Sequence, residues 1–253
     1  MGTKLYKRVY VWEVPVRLFH WLNATAIVVL AATGLFIGDP LALMSQNEAY
    51  ETFLMGKVRF VHFAAGYILL VVFILRIYWG FVGNRYAQWK NFLPFGKKKA
   101  KRIKHFIKHD VLPLPSNEER YYEELSVGHN PVASTIYIIF FFMLFVMILT
   151  GFGLYSQNAG WWLPKMFSWV PPLFGGDFGT RLVHHVTMWL ILLFVLVHIY
   201  MAVYHDVVEA RGEISSMVSG FKFVRWERFK SFRKKANKIK EILDEPVEEE
   251  LMN

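Results

Sequence analysis

Four long apolar runs punctuate the chain, and charged residues collect in the connections between them. The runs extend from about Leu18 to Gly38, from about Val58 to Val82, from Pro131 to about Tyr155, and from about Leu182 to His205. Each reaches the about 20 residues that a helix needs to cross a hydrocarbon core. The second is interrupted by Arg76, and the third is uncharged and rich in Ile, Phe and Met. The first has the basic flank of a secretory signal, but it is too long and carries Arg17, His20 and Asn23 at its start, so it reads as a retained helix. The pattern predicts an all-α integral membrane four-helix bundle over residues 1–221. A charged, partly helical cytoplasmic tail over residues 222–253 follows it. No internal sequence repeat stands out.

Composition agrees. The chain of 253 residues is 55% hydrophobic, 17% aromatic and only 19% charged, with a mean hydropathy of +0.29. Soluble domains run nearer 25% charged, and disorder is excluded by the apolar content. Cysteine is absent, which excludes an iron–sulfur cluster, a Cys zinc site, a disulfide and a covalently attached c-type haem.

Lys and Arg near the span ends set the orientation. Residues 1–17 hold Lys4, Lys7, Arg8 and Arg17 against Glu13. The connection between spans two and three holds ten basic residues, including Lys97-Lys98-Lys99-Ala100-Lys101-Arg102, and the stretch after span four holds another ten. Residues 39–57 carry only Lys57 against Asp39, Glu48 and Glu51, and residues 156–180 only Lys165 and Asp177. Both termini are therefore expected on the cytoplasmic side of the inner membrane. The run at 97–104 reads as an anionic-lipid contact rather than a nucleic-acid site. Trp161, Trp162, Trp169 and Pro171-Pro172 predict an outer stretch lying along the interface, with a docking surface as the other reading. His105 and His109 are solvated surface residues on this reading rather than a metal pair.

Ionisable groups within a span are costly and mark functional sites. His20 opens span one at the inner surface, whereas His62 and His184 open spans two and four at the outer surface. His198 lies fourteen residues beyond His184, about 21 Å further in at 1.5 Å per residue, and so returns to the depth of His20. Two pairs result, His62/His184 outside and His20/His198 inside. Fourteen residues fall about 40° short of four full turns, so His184 and His198 share a helix face while His185 points nearly the opposite way. Gly34 stands fourteen residues after His20, where a flat macrocycle would press on span one, and Arg76 stands fourteen after His62, near the inner pair.

Arg17, Arg59 and Arg181 each precede a histidine by three residues, on the same helix face and on its aqueous side. That is where a haem propionate would leave the bilayer, and Arg offers it a forked, permanent charge. The pattern predicts two bis-His b-type haem sites, with His20, His62, His184 and His198 as iron ligands. The plain alternative makes the histidines hydrogen-bonders within the bundle and the arginines interfacial anchors. A membrane di-iron enzyme would need its ligands clustered at one depth.

Val11-Trp12-Glu13-Val14-Pro15-Val16-Arg17-Leu18-Phe19-His20-Trp21 resembles the opening of the cytochrome b subunit of membrane-bound nickel–iron hydrogenases. Gly128-His129-Asn130-Pro131 and Arg181-Leu182-Val183-His184-His185 look like the same family, and the resemblance covers about residues 6–222. The four-His pattern alone is shared with the related formate dehydrogenase gamma subunits. The resemblance implies a four-helix bundle with two b haems, whose axial histidines map onto His20, His62, His184 and His198. It also implies partners: a hydrogenase large subunit, an iron–sulfur small subunit and a quinone that accepts the electrons. On that basis the chain relays electrons and reduces quinone without itself activating hydrogen. His129 and Asn130, with Tyr121 and Tyr122 nearby, are candidates to bind the quinone. Asn130 as N-cap and Pro131 at the first helical position explain two of these residues without a ligand. Within the same class, the alternative is a subunit of a formate dehydrogenase or oxyanion reductase. A proton or anion transporter is the more distant one, disfavoured by unbroken spans.

Overall fold

The computed structural model describes residues 6–39, 53–89, 131–207 and 212–225. The elements are β1 (Tyr6–Tyr10), α1 (Val14–Gly38), α2 (Leu54–Val82), α3 (Pro131–Ser156), α4 (Trp162–Lys165), α5 (Val170–Leu173), α6 (Asp177–Val207), α7 (Glu213–Ser219) and β2 (Phe221–Arg225). Helices α1, α2, α3 and α6 are each long and apolar enough to cross a membrane. Their C-terminal ends lie within two residues of the expected span ends, but α1 and α2 start four residues earlier than the apolar runs, and α6 starts five earlier. The first turns, which hold Arg17 and Lys57, and the stretch before Leu182 with Arg181 continue the helix beyond the hydrophobic run, so hydropathy does not register them.

Local chemistry sets the element ends. Pro15 occupies the first turn of α1, where its missing N–H costs nothing, and Pro131 opens α3 in the same way. The two prolines of α5 precede Gly175 and Gly176, whose positive φ of 76° and 95° turns the chain into α6. That turn lets Gly176 N–H donate to Pro171 O at 2.8 Å. Trp161, Trp162 and Trp169 on this outer segment are all exposed.

Helix α1 packs chiefly on α2 and α3 on α6, and the two hairpins meet through α2 and α3. A common core of Ala26, Leu69, Phe73, Leu144, Ile148, Phe152 and Ile191 draws on all four helices. Large apolar side chains such as Phe81, Phe142 and Leu196 are instead exposed, as expected where the surroundings are lipid.

At the end where α1 begins, β1 pairs antiparallel with β2, from Tyr6 opposite Arg225 to Tyr10 opposite Phe221. Val11 and Trp12 N–H both donate to Gly220 O. Glu13 accepts from Trp79 Nε1 and from Asn84 N–H, each at 2.9 Å, while Asn84 Nδ2 donates to Val11 O. The stretch before the first span and the stretch after the last are thus tied together at one end of the bundle. Residues 222–225, expected within a partly helical tail, form a strand. Their partner lies about 215 positions away, which local charge pattern does not reveal.

Short matches recur between the two hairpins. Arg59-Phe60-Val61-His62 in α2 matches Arg181-Leu182-Val183-His184 in α6, and fourteen residues on from the histidine, Arg76-Ile77-Tyr78 parallels His198-Ile199-Tyr200. Thr33-Gly34 in α1 likewise matches Thr150-Gly151 in α3.

Candidate haem-binding sites

At the inner level, His20 on α1 and His198 on α6 face each other with ring centroids 6.3 Å apart. Two metal–nitrogen bonds of about 2 Å, with about 1.2 Å from each nitrogen to its ring centre, span about 6.4 Å. The separation therefore suits one iron held between two imidazoles. His198 is stacked on Phe194 one turn earlier, and Tyr137 of α3 meets it edge-on. His20 Nδ1, Arg17 Nε, Asn23 Oδ1 and Arg76 Nη1 are buried without a hydrogen-bond partner among the described residues. Buried polar atoms without a partner, His20 Nδ1 among them, fit a site that takes a charged, metal-centred group.

The arginines divide. Arg17 donates through Nη1 to Val218 O at the end of α7, beside Trp21 Nε1, which donates to Met217 O. Arg76 donates through Nη2 to Ala87 O and lies 5.0 Å from the Trp89 ring. Trp89 fits there because Gly80 has no side chain: a methyl at that position would overlap the indole at 2.0 Å. Arg59 and Arg181 are exposed at the outer end.

The outer level is built from two copies of one arrangement. His62 Nδ1 lies 2.8 Å from Thr33 Oγ1, and His184 Nδ1 lies 2.8 Å from Thr150 Oγ1. Each threonine donates its single hydroxyl hydrogen to the carbonyl one turn back, Val29 at 2.6 Å and Val146 at 2.7 Å. With that hydrogen directed to the carbonyl, the hydroxyl accepts from the imidazole, an assignment that puts the proton on Nδ1 and leaves the Nε2 lone pair for a metal. The glycine after each threonine makes room for the ring. A methyl on Gly34 would lie 3.3 Å from His62 Cε1 and 3.9 Å from Met188 Sδ, and one on Gly151 would lie 3.2 Å from His184 Cε1. The tight neighbour of Gly34 is thus an imidazole. His185 is exposed and donates through Nδ1 to Arg181 O, with Nε2 3.3 Å from where a methyl on Gly38 of α1 would sit.

Sequence reasoning missed Thr33, Thr150 and Gly151; the doubled Thr-Gly pair was the available signal. His129, Asn130, Tyr121 and Tyr122, the quinone candidates, lie outside the described residues, as do His105, His109 and the basic run at 97–104.

Four helices long and apolar enough to cross a membrane, with His20 and His198 brought close together between two of them, fit a multi-pass membrane cytochrome of the b type. The chain belongs to the prokaryotic cytochrome b561 family, whose model matches residues 11–220. It is 42% identical over 229 residues to a probable Ni/Fe-hydrogenase B-type cytochrome subunit of Azotobacter vinelandii, covering 89% of this chain and 90% of that one. A protein of the same description from Rhizobium leguminosarum bv. viciae is 43% identical over 225 residues, 87% and 91% of the two chains. The probable Ni/Fe-hydrogenase 1 B-type cytochrome subunit of Escherichia coli K12 is 37% identical over 223 residues, 84% and 90%. Membership implies haem b and a role in electron transfer.

Proposed function

We propose that this chain anchors a nickel–iron hydrogenase to the inner membrane and carries electrons from its iron–sulfur subunit through two bis-His b haems to quinone. The observation that carries this reading is the pairing of histidines at two depths, with His20 and His198 facing each other at 6.3 Å. His62 and His184 hold the outer haem, and His20 and His198 the inner one. Bound there, haem b supplies a one-electron carrier whose potential responds to its axial ligands and surroundings.

The chain's own residues do the rest. The outer imidazoles present Nε2 because the threonines occupy Nδ1. Arg59 and Arg181 neutralise carboxylates at the outer surface; Arg17 and Arg76 do so at the inner, each with a buried nitrogen still unsatisfied. Gly34 admits a ring against α1. His129 and Asn130, with Tyr121 and Tyr122, hold quinone at the inner end of α3. The basic flanks place both termini in the cytoplasm, residues 1–221 form the haem-binding unit, and residues 222–253 extend from it. The names of the relatives support hydrogenase over formate dehydrogenase as the partner.

An anaerobic absorbance difference spectrum of membranes tests the proposal, with hydrogen as reductant and dithionite added afterwards. A b-type band under hydrogen that is lost when this chain is deleted is the expected result. A band seen only with dithionite overturns the hydrogenase assignment, and no band at all overturns the haem sites.

A further inference from the structure

The outer imidazoles are not merely packed; each is hydrogen-bonded to a threonine whose own hydrogen is already committed. We infer that Thr33 and Thr150 are positioning residues that lock His62 and His184 as Nδ1–H tautomers and set the electron-donating strength of Nε2 toward iron. The inference rests on the two-haem reading above and adds to it a control on the outer site's potential.

Three observations converge on it. First, the two contacts are equal at 2.8 Å, although they arise on different helix pairs, Thr33 of α1 with His62 of α2 and Thr150 of α3 with His184 of α6. Second, the same proton assignment fits both. A threonine bonding back to the carbonyl one turn earlier is common in membrane helices and needs no histidine. Having spent its one hydrogen there, however, the hydroxyl oxygen can only accept, so the shared proton belongs to Nδ1. Third, the following glycine leaves each ring just enough space, with Cε1 3.3 Å and 3.2 Å from where a methyl would sit. The inner pair lacks this device: His20 Nδ1 has no partner among the described residues.

An acceptor on the far nitrogen of a metal-bound imidazole fixes its tautomer and raises its basicity. A more basic ligand favours the oxidised, more positive iron. Removing the acceptor should therefore raise the midpoint potential of the outer haem and leave that of the inner one in place.

The test is a spectroelectrochemical titration of the haem-loaded protein in detergent, with haem per chain and low-spin electron paramagnetic resonance recorded on each sample. Thr33→Val and Thr150→Val keep the side-chain volume and remove the acceptor; Thr33→Ser and Thr150→Ser keep it. The expected result is an upward shift of one midpoint in either valine variant and a larger shift in the double variant. Serine restores the original value. If valine instead empties the outer site while serine fills it, the positioning role is equally supported, because valine occupies the same space. Two haems per chain with both midpoints unmoved by valine overturns the inference alone, as does serine behaving like valine. Fewer than two haems per chain in the unmodified protein overturns the two-site reading beneath it. Thr33 is only partly buried, so Thr33→Val keeps the question decidable even if the fully buried Thr150 tolerates no change.

Discussion

Replacing Gly151 with alanine adds a single methyl group, and the structure says where it goes. The new Cβ would stand 3.2 Å from His184 Cε1 and 3.9 Å from His184 Nδ1. Ordinary contact between carbons begins near about 3.5 Å, so the ring must retreat by a few tenths of an ångström. It cannot retreat freely, because Nδ1 is tethered to Thr150, whose hydroxyl is fixed in turn to Val146 O. Overpacking a constrained site costs about 1–3 kcal/mol, and a ligand must be held within about 0.5 Å of its productive geometry. The strain therefore falls on the iron–imidazole bond. Gly66→Ala supplies the control: it lies within α2, and nothing stands within 4 Å of its added methyl. Both substitutions carry the same backbone change, about 1 kcal/mol of helix propensity in water. Haem per chain and the reduced-minus-oxidised spectrum of the purified protein read the outcome. Gly151→Ala should lose or shift one of two haem signals, and Gly66→Ala should match the parent. Equal behaviour of the two variants, at equal yield of folded protein, would refute the claim that Gly151 exists to seat His184.

Two further predictions need less argument. His184→Ala should remove one haem while His185→Ala leaves both, since His184 and not His185 shares a helix face with His198; haem counts in the two variants check it, and the reverse pattern would sink the phase argument. Glu13→Ala strips Trp79 and Asn84 of their acceptor and should destabilise the inner end of the bundle by about 1–3 kcal/mol, read as a lower thermal midpoint in detergent.

Much of this molecule was legible in its sequence because the bilayer imposes rules that a linear reading can apply. A span needs a length, charge segregates by side, and a histidine in a helix carries its depth in its residue number. Those rules yield the four helices and the pairing of His20 with His198, although the two stand 178 positions apart. What depth cannot supply is the neighbour across the helix interface. Thr33 reads as a helix residue bonding to its own backbone, which it is, and only packing shows the imidazole on its other lone pair. Gly34 was expected to seat a macrocycle, and the ring beside it in the structure is that of His62. The β1–β2 pair was hidden for another reason: each strand is five residues long and finds its partner at the opposite end of the chain.

The short matches between the hairpins also show where the two levels part company, and this gives the electron path a direction. At the outer level the copies agree, each presenting Thr, Gly and His. At the inner level they diverge. The position matching His198 holds Arg76, and the one thirteen residues before Thr150 holds Tyr137 where the first copy has His20. Arg76 is a fixed positive charge with a buried nitrogen still unsatisfied. A nearby cation favours the reduced, less positive state of an electron carrier, so under the two-haem proposal Arg76 should raise the potential of the inner site. Hydroxyl acceptors at the outer imidazoles should lower the potential there. Under the same proposal both effects would make transfer from the outer to the inner site run downhill. The outer midpoint should therefore lie below the inner one, and Arg76→Gln should narrow the gap by lowering the inner value. A titration that places the inner midpoint lower, or one in which Arg76→Gln leaves both unmoved, would show that the divergence of the two copies serves something other than the order of the potentials.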